Sequence, residues 1–252
     1  MLIIDLLHLE MNTPIAYGVF HVSCLFLVFL ILFILYKTKP KLNNVIFVYS
    51  SIAFLLELLK QISWSIEVNG NAFIFDYQWY AFPFQLCTTP IYTCFLILLI
   101  KNNKIKNACY SYLAYFTILG SITTMVYPTS CFVSDVLVNI HTMWLHGGSL
   151  IVSIYILMNQ IKLNYRHGFY VFLIMCIIAN TLNIFIYHSS LLNGETFNMF
   201  YISPYFDCSL PIFDMIYNHT NYFVFLIIYI LAIYLGSKII YVLNKMIHIF
   251  LV

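Results

Sequence analysis

The chain has 252 residues, of which 63% are hydrophobic and 8% are charged, and its mean hydropathy is +0.92. A soluble domain carries roughly 25% charged residues, so this composition excludes a soluble protein and predicts that most of the chain lies in a bilayer. The net charge of +2 is too small to indicate a nucleic-acid partner.

Apolar runs of about twenty residues predict seven membrane-spanning helices within a single domain, residues 1–252. In chain order the predicted spans are 15–36, 45–66, 80–100, 108–127, 136–159, 168–188 and 220–243. The expected fold class is therefore all-α: a polytopic membrane protein built as a seven-helix bundle.

The charged residues in the connections between these spans separate by sign. Ten of the eleven basic residues fall on one side, namely Lys37, Lys39, Lys41, Lys101, Lys104, Lys106, Lys162, Arg166, Lys238 and Lys245. Eight of the nine acidic residues fall on the other side, namely Asp5, Glu10, Glu67, Asp76, Asp135, Glu195, Asp207 and Asp214. By the positive-inside rule, this separation predicts a plasma-membrane protein with its N-terminus outside and its C-terminus in the cytoplasm.

Residues 82–90, FPFQLCTTP, interrupt the third predicted span. Pro83 suits the first turn of a helix, whereas Pro90 inside the helix would bend it and leave the carbonyl of Leu86 without a partner. Cys87 would then stand on an opened helix wall near the helix start, where partial positive charge favours a thiolate. The alternative is a proline kink that serves packing, with an incidental cysteine.

Polar residues inside the predicted spans share one depth. Glu57 and Lys60, both in the second predicted span, are the only charged residues that do not follow this separation, and their i, i+3 spacing puts them on one helix face. They either neutralise each other between helices, or hold a lipid headgroup or orient a catalytic side chain. Counted at about 1.5 Å per residue, they lie roughly 9–14 Å below the outer boundary. At similar depth lie Gln85, Cys87, His146, Asn180 and Asn183. Because the inner halves are almost purely apolar, the sequence predicts one buried pocket that opens outward.

The fifth predicted span carries a polar stripe, which favours one of its two histidines. The stripe consists of Asn139, Thr142, His146, Ser149 and Ser153, at spacings of three and four. Such a stripe is expected to face the protein interior. His141 is about 140° away from His146 around the helix, so we expect it on a different face, outside the pocket. A structural, hydrogen-bonded histidine is the alternative for His146.

The longest outer connection, about 189–219, is rich in aromatic residues, Pro and Asn. A loop of this length usually has a function, and its apolar content predicts packing over the outer mouth of the bundle. Cys131 and Cys208 both lie in outer connections, and the sequence leaves open whether they form a disulfide.

Together these features resemble the transmembrane protein 164 family and its bacterial relatives of the YwaF type. The similar motifs are Leu86-Cys87, His146-Gly147, Ile154-Tyr155, Tyr187-His188-Ser189, and a loop with Asn198 followed by ISPYFDCSLPIFDMIY. Animal members are described as acyltransferases that build ether phospholipids, with a cysteine and a histidine that fall on Cys87 and His146. The content of Asn, Ile, Lys, Phe and Tyr is typical of the bacterial branch, which has no settled activity.

The resemblance and the residues together predict a membrane-embedded lipid acyltransferase or transacylase. Cys87 would carry the acyl group and His146 would act as general base. Candidates to orient the imidazole or stabilise an oxyanion are Glu57, Gln85, Asn180 and Asn183, and candidates to bind the substrate headgroup are Lys60, His188 and Asn198. A membrane phospholipid is the expected acyl donor and a lysolipid the acceptor, because an outer pocket is badly placed for cytosolic acyl-CoA.

Other classes of function remain as alternatives. A non-catalytic lipid-binding or membrane-assembly protein would need the same pocket. A transporter would need polar residues through the inner half, and a retinal-binding protein would need a lysine in the middle of the last span, where Lys238 lies only at the inner end. No cofactor is expected, and no metal, because the spacing of Cys87, His146 and Glu57 matches no recognisable ligand set. The acyl chain, the headgroup, the direction of transfer and the oligomeric state stay open.

Overall fold

The computed structural model describes residues 7–69, 72–128, 131–159 and 163–251, so that Asp5 and Lys162 fall outside the described residues. The α-helices are α1 (Val19–Thr38), α2 (Leu42–Ser65), α3 (Thr89–Leu99), α4 (Asn103–Tyr112), α5 (Ile118–Val126), α6 (Val136–Met158), α7 (Tyr165–Tyr187), α8 (Phe213–His219) and α9 (Tyr222–Leu251). A π-helical turn, Leu113–Thr117, joins α4 to α5. A short antiparallel hairpin, β1 (Ile66–Asn69) and β2 (Ala72–Phe75), follows α2, and 3-10 turns cover Trp79–Ala81 and Met199–Tyr201.

Six helices among the described residues are long and apolar enough to cross a membrane: α1, α2, the continuous α4–α5 unit, α6, α7 and α9. Asparagine and aspartate cap several of them. Asn102 accepts hydrogen bonds from the backbone N–H groups at the start of α4, and Asp135 and Asn164 do the same for α6 and α7. The polar caps therefore mark where the chain leaves the connections and enters the bundle.

The bundle has two ends of opposite charge. At one end the Tyr155 hydroxyl donates to the carbonyl of Pro40, and the Tyr165 hydroxyl donates to the carbonyl of Tyr234. This basic end carries Lys37, Lys39, Lys41, Lys101, Lys104, Lys106, Arg166, Lys238 and Lys245. At the opposite, acidic end, the Tyr17 hydroxyl donates to the carbonyl of Val126 at 2.7 Å. The acidic end carries Glu10, Asp76, Asp135, Glu195, Asp207 and Asp214.

The third predicted span, 80–100, is not a single helix. Only its second part is helical, since α3 has 11 residues and a length of about 16 Å, against roughly 30 Å of bilayer hydrocarbon. Pro90 is the second residue of α3, where a missing N–H is tolerated, so it causes no bend. The carbonyl of Leu86 is not free either, because the Thr89 hydroxyl donates to it at 2.7 Å. The prediction of a proline-bent helix starting near Pro83 is therefore wrong.

The half of the bundle toward the basic end is filled by aromatic rings. This aromatic core consists of Tyr112, Tyr115, Phe116, Tyr165, Phe169 and Phe172, with ring centroids between 5.5 and 6.3 Å apart in the stacked pairs. Gly168 allows α7 to approach α4 closely, because a Cβ atom there would lie 2.9 Å from the backbone oxygen of Ser111. Regular helices, rings and one small residue are sufficient to pack this half.

Among the residues that the structure describes, Cys131 and Cys208 are not joined by a disulfide bond. Cys208 is buried in the long connection between α7 and α9. The apolar part of that connection packs into the acidic end, with Phe197, Met199 and Phe200 completely buried.

Candidate functional site

Cys87 lies on a segment without α-helix, residues 79–88, that begins with the 3-10 turn Trp79–Ala81 and enters the bundle from the acidic end. Side chains from elsewhere hold this Cys87 segment. The Gln61 amide of α2 donates to the carbonyl of Ala81 at 2.7 Å, and the Glu195 carboxylate accepts the backbone N–H of Trp79 at 2.8 Å. The Tyr92 hydroxyl donates to the carbonyl of Pro83. Irregular backbone within a membrane protein requires such partners, because lipid offers none.

Gln85 binds the long connection between α7 and α9 with both ends of its carboxamide. Its Oε1 accepts the backbone N–H of Phe200 at 2.8 Å, and its Nε2 donates to the carbonyl of Asn198 at 2.9 Å. Asn183 of α7 binds the residue between them, with Met199 N–H to Oδ1 at 2.7 Å and Nδ2 to Met199 carbonyl at 3.0 Å. Two carboxamides thus hold three consecutive backbone units of the loop.

These contacts bear on the residues expected to stabilise an oxyanion. The amide groups of Gln85 and Asn183 already donate to loop carbonyls. The Asn180 carboxamide oxygen accepts the Tyr222 hydroxyl at 2.8 Å, and the same hydroxyl lies 3.1 Å from the carbonyl of Ile202. All three residues therefore help to hold the connection between α7 and α9 against the bundle and the Cys87 segment.

A buried charge cluster lies between α2 and α6. The Glu57 carboxylate contacts Lys60 Nζ at 2.7 Å through Oε1 and His141 Nε2 at 2.7 Å through Oε2. Gln61 Nε2 adds a third contact, to Oε1 at 2.9 Å. Glu57, Lys60 and His141 are 4%, 8% and 5% exposed. Glu57 therefore has an oriented imidazole partner, and that partner is His141.

The expectation that His141 faces away from the buried polar residues is wrong. The helical-phase argument assumed one interior face, but α6 is buried around most of its circumference. Part of the polar stripe serves the backbone instead: Asn139 binds both backbone groups of Val133, and the Ser153 hydroxyl donates to the carbonyl of Leu113 in the π-helical turn.

His146 lies on α6 next to Gly147 and Gly148, where the absence of a side chain lets neighbouring helices approach closely. A Cβ at Gly147 would lie 2.9 Å from Val28, and one at Gly148 would lie 2.6 Å from the ring of Tyr49. The His146 ring lies close to the backbone of Gly120 in α5.

Cys87 and His146 share one property, although no hydrogen bond joins these two described residues. Each is neither fully buried nor fully exposed, so each keeps some accessible surface. Burial raises the pKa of Tyr201, in the connection between α7 and α9, to about 12, and the nearby Cys87 acts in the same direction.

The three candidate headgroup ligands occupy different places. The Lys60 ammonium is in the charge cluster, 5.9 Å from the centre of the Trp64 ring. His188 is exposed, with Nε2 2.9 Å from the Tyr205 hydroxyl. Asn198 shapes its own loop, since its Oδ1 accepts the backbone N–H of Ser203 at 2.8 Å. Lys60 therefore lies in the charge cluster beside the Cys87 segment, and Asn198 contacts that segment through its backbone carbonyl, which Gln85 binds. Within the described residues, no group of three or more His, Cys, Asp or Glu side chains could hold a metal ion.

The apolar helices and the enclosed polar site define the class of this protein: a multi-pass helical membrane protein with a buried polar centre. Residues 9–244 match the sequence profile of the TMEM164 family, and the chain belongs to that family. The resemblance to the transmembrane protein 164 family inferred from the sequence motifs is thereby confirmed. No curated protein and no solved structure matches the chain.

Proposed function

We propose that this protein is a lipid acyltransferase that uses Cys87 as its nucleophile. The observation that carries the proposal is the setting of Cys87: a partly exposed thiol on a rigidly held segment without α-helix, beside a buried charge cluster. Irregular backbone and buried charge are both costly in a membrane, and function is the usual reason for them. Family membership supports the proposal through the motifs that carry Cys87 and His146.

The reaction has two half-steps. In the first, His146 takes the proton of the Cys87 thiol, and Sγ attacks the ester carbonyl carbon of a phospholipid. An S–C bond forms, the C–O ester bond breaks, and the leaving alkoxide takes the proton from His146, which releases a lysophospholipid. In the second, the hydroxyl of a lysolipid acceptor gives its proton to His146 and attacks the thioester. A new ester forms, and the Cys87 sulfur leaves and regains the proton.

The proposed topology has seven crossings, with the acidic end outside and the basic end in the cytoplasm of a plasma membrane. Six of these crossings are the long apolar helices, and the remaining one, third in chain order, is the Cys87 segment followed by α3. Gln61, near the acidic end of α2, holds Ala81, whereas α3 leads into Lys101 and the start of α4 at the basic end. The pocket then opens toward the outer leaflet. This orientation favours a membrane phospholipid as acyl donor over cytosolic acyl-CoA.

The alternative is a lipid-binding or membrane-assembly protein with the same pocket. The observation in its favour is that the amide groups of Gln85 and Asn183 donate to loop carbonyls and so do not point at a substrate oxyanion. A binding protein needs a stable wall but no nucleophile, so the two functions differ in their dependence on the thiol.

Replacement of Cys87 by serine separates the two. A hydroxyl of similar size preserves packing and lipid binding but is a much weaker nucleophile. We expect Cys87→Ser to abolish the change that the wild-type protein causes in the phospholipid profile of expressing cells, measured by mass spectrometry. Cys94→Ser is the matched control, because Cys94 is a completely buried cysteine of α3. A Cys87→Ser protein with the wild-type lipid profile would establish the binding function instead.

A further inference from the structure

The outer connection inserts a short segment into the bundle next to Cys87. This inserted loop is residues 197–203, and Phe197, Met199, Phe200 and Ser203 in it are completely buried. Phe200 stacks on Phe84 of the Cys87 segment, with ring centroids 5.8 Å apart and planes 11° from parallel. Phe84 stands three residues before Cys87, so the loop packs directly against the segment that carries the thiol.

The backbone of the inserted loop is strained. Phe200 and Tyr201 have φ values of 60° and 59°, which place two consecutive bulky residues in the left-handed region. L-residues with a Cβ atom avoid this region, and bulky ones do so strongly. The conformation persists only where surrounding contacts impose it, and such strain is typical of functional segments.

The contacts that impose it come from two side chains outside the loop. Gln85 and Asn183 supply four hydrogen bonds to residues 198–200, each between 2.7 and 3.0 Å long. Gln85 stands only two residues before Cys87, so the contact that closes the loop also fixes the backbone that carries the thiol. A change in the position of the loop would therefore also act on the backbone that carries the thiol.

We propose that residues 197–203 form a movable wall over Cys87, and that Gln85 and Asn183 are positioning residues that hold this wall closed. In the closed state the loop separates the thiol from the outer surface. Opening breaks the four carboxamide bonds, releases the two left-handed residues and admits a lipid chain to Cys87. The proposal rests on the proposed function for the identity of the ligand but not for the motion itself.

The test is the rate at which N-ethylmaleimide modifies Cys87 in the purified full-length protein, read by site-resolved mass spectrometry. Gln85→Met keeps the length of the side chain and removes both hydrogen bonds to the loop. We expect the Cys87 rate to rise by about tenfold or more, because two lost hydrogen bonds shift the open population by that order. Asn183→Leu should act in the same direction.

Two controls make the result specific. Gln78→Met makes the same chemical change at a carboxamide that donates an exposed hydrogen bond to the carbonyl of Asp76, outside the inserted loop, and should leave the Cys87 rate unchanged. Cys94, completely buried in α3, is an internal reference for general loosening of the fold. Gln85→Glu retains the acceptor for Phe200 but loses the donor to Asn198, and should give an intermediate rate even if Gln85→Met does not fold.

An unchanged Cys87 rate in the folded Gln85 and Asn183 variants would overturn the proposal, and so would a parallel rise at Cys94. Alkylation needs no turnover, so a protein that only binds lipid would still show the shielding. Loss of the proposed acyl transfer with intact shielding, or the reverse, therefore distinguishes failure of the function from failure of the movable wall.

Discussion

The two halves of this bundle are built by different means. Toward the basic end, regular helices pack through the aromatic core, and Gly168 brings α7 against the backbone of α4. Toward the acidic end, a non-helical segment, an inserted loop and a buried charge cluster replace regular packing. The first half needs no more than ring contacts and small residues. The second depends on side-chain hydrogen bonds to backbone groups and on paired charges, which are costly in a membrane and point to function.

The largest expected effect is on turnover in the acidic half. We expect His146→Ala to slow acyl transfer 10²–10⁴-fold, roughly the usual contribution of a general base, without loss of fold. The measurement is transfer of a labelled acyl chain from phospholipid to lysophospholipid by protein in liposomes. His21→Asn is the control, since both ring nitrogens of His21 bind backbone groups of Tyr17 and Met125. Full turnover in folded His146→Ala protein would remove His146 from the mechanism.

The charge cluster gives the next effect, on stability. Glu57→Gln leaves the Lys60 ammonium buried without its counter-ion, which typically costs about 3–5 kcal/mol. We expect a large fall in the thermal midpoint of the detergent-purified protein. The double variant Glu57→Gln, Lys60→Met removes both charges and should recover much of the loss. If the double variant has as low a thermal midpoint as the single one, the pairing of the two charges does not account for the stability of this cluster.

The aromatic half gives the smallest effect. Gly168→Ala places a methyl group 2.8 Å from the backbone carbon of Ser111, and backbone cannot move aside as a flexible side chain does. Overpacking of this kind costs about 1–3 kcal/mol. Gly120→Ala is the matched control, because a Cβ there meets no atom within 4 Å, and it should leave the thermal midpoint equal or higher. Equal midpoints for the two variants would contradict the close packing of α4 and α7.

The sequence allowed prediction of the apolar helices but not of the irregular parts. Twenty-residue apolar runs locate α1, α2, α6, α7 and α9 to within a few residues, because helix length is set by the bilayer. The Cys87 segment was missed for a physical reason. Whether Pro90 kinks a helix or begins one depends on which distant groups, such as Gln61 and Glu195, satisfy the preceding backbone. Periodicity contains no information about them.

The site was predictable only in part. Glu57 and Lys60 follow from the cost of charge in hydrocarbon, and Cys87 stands out beside the prolines. His141 was assigned to the wrong face, because helical phase cannot reveal that α6 is surrounded by other elements. The roles of Gln85 and Asn183 depend on their contacts with the inserted loop. That loop is more than a hundred residues from Gln85 along the chain, and it lies beyond the end of α7 from Asn183, so no local pattern marks either residue.

The most direct test of the central claim is detection of the acyl-enzyme. Purified protein incubated with phospholipid and digested at low pH should yield a peptide in which Cys87 carries one acyl group, and hydroxylamine should remove it, as expected for a thioester. Cys94→Ser protein should give the same adduct, and Cys87→Ser protein should give no thioester. An absence of any Cys87 adduct in protein that transfers acyl chains would contradict the mechanism, as would transfer at the wild-type rate by the Cys87→Ser variant.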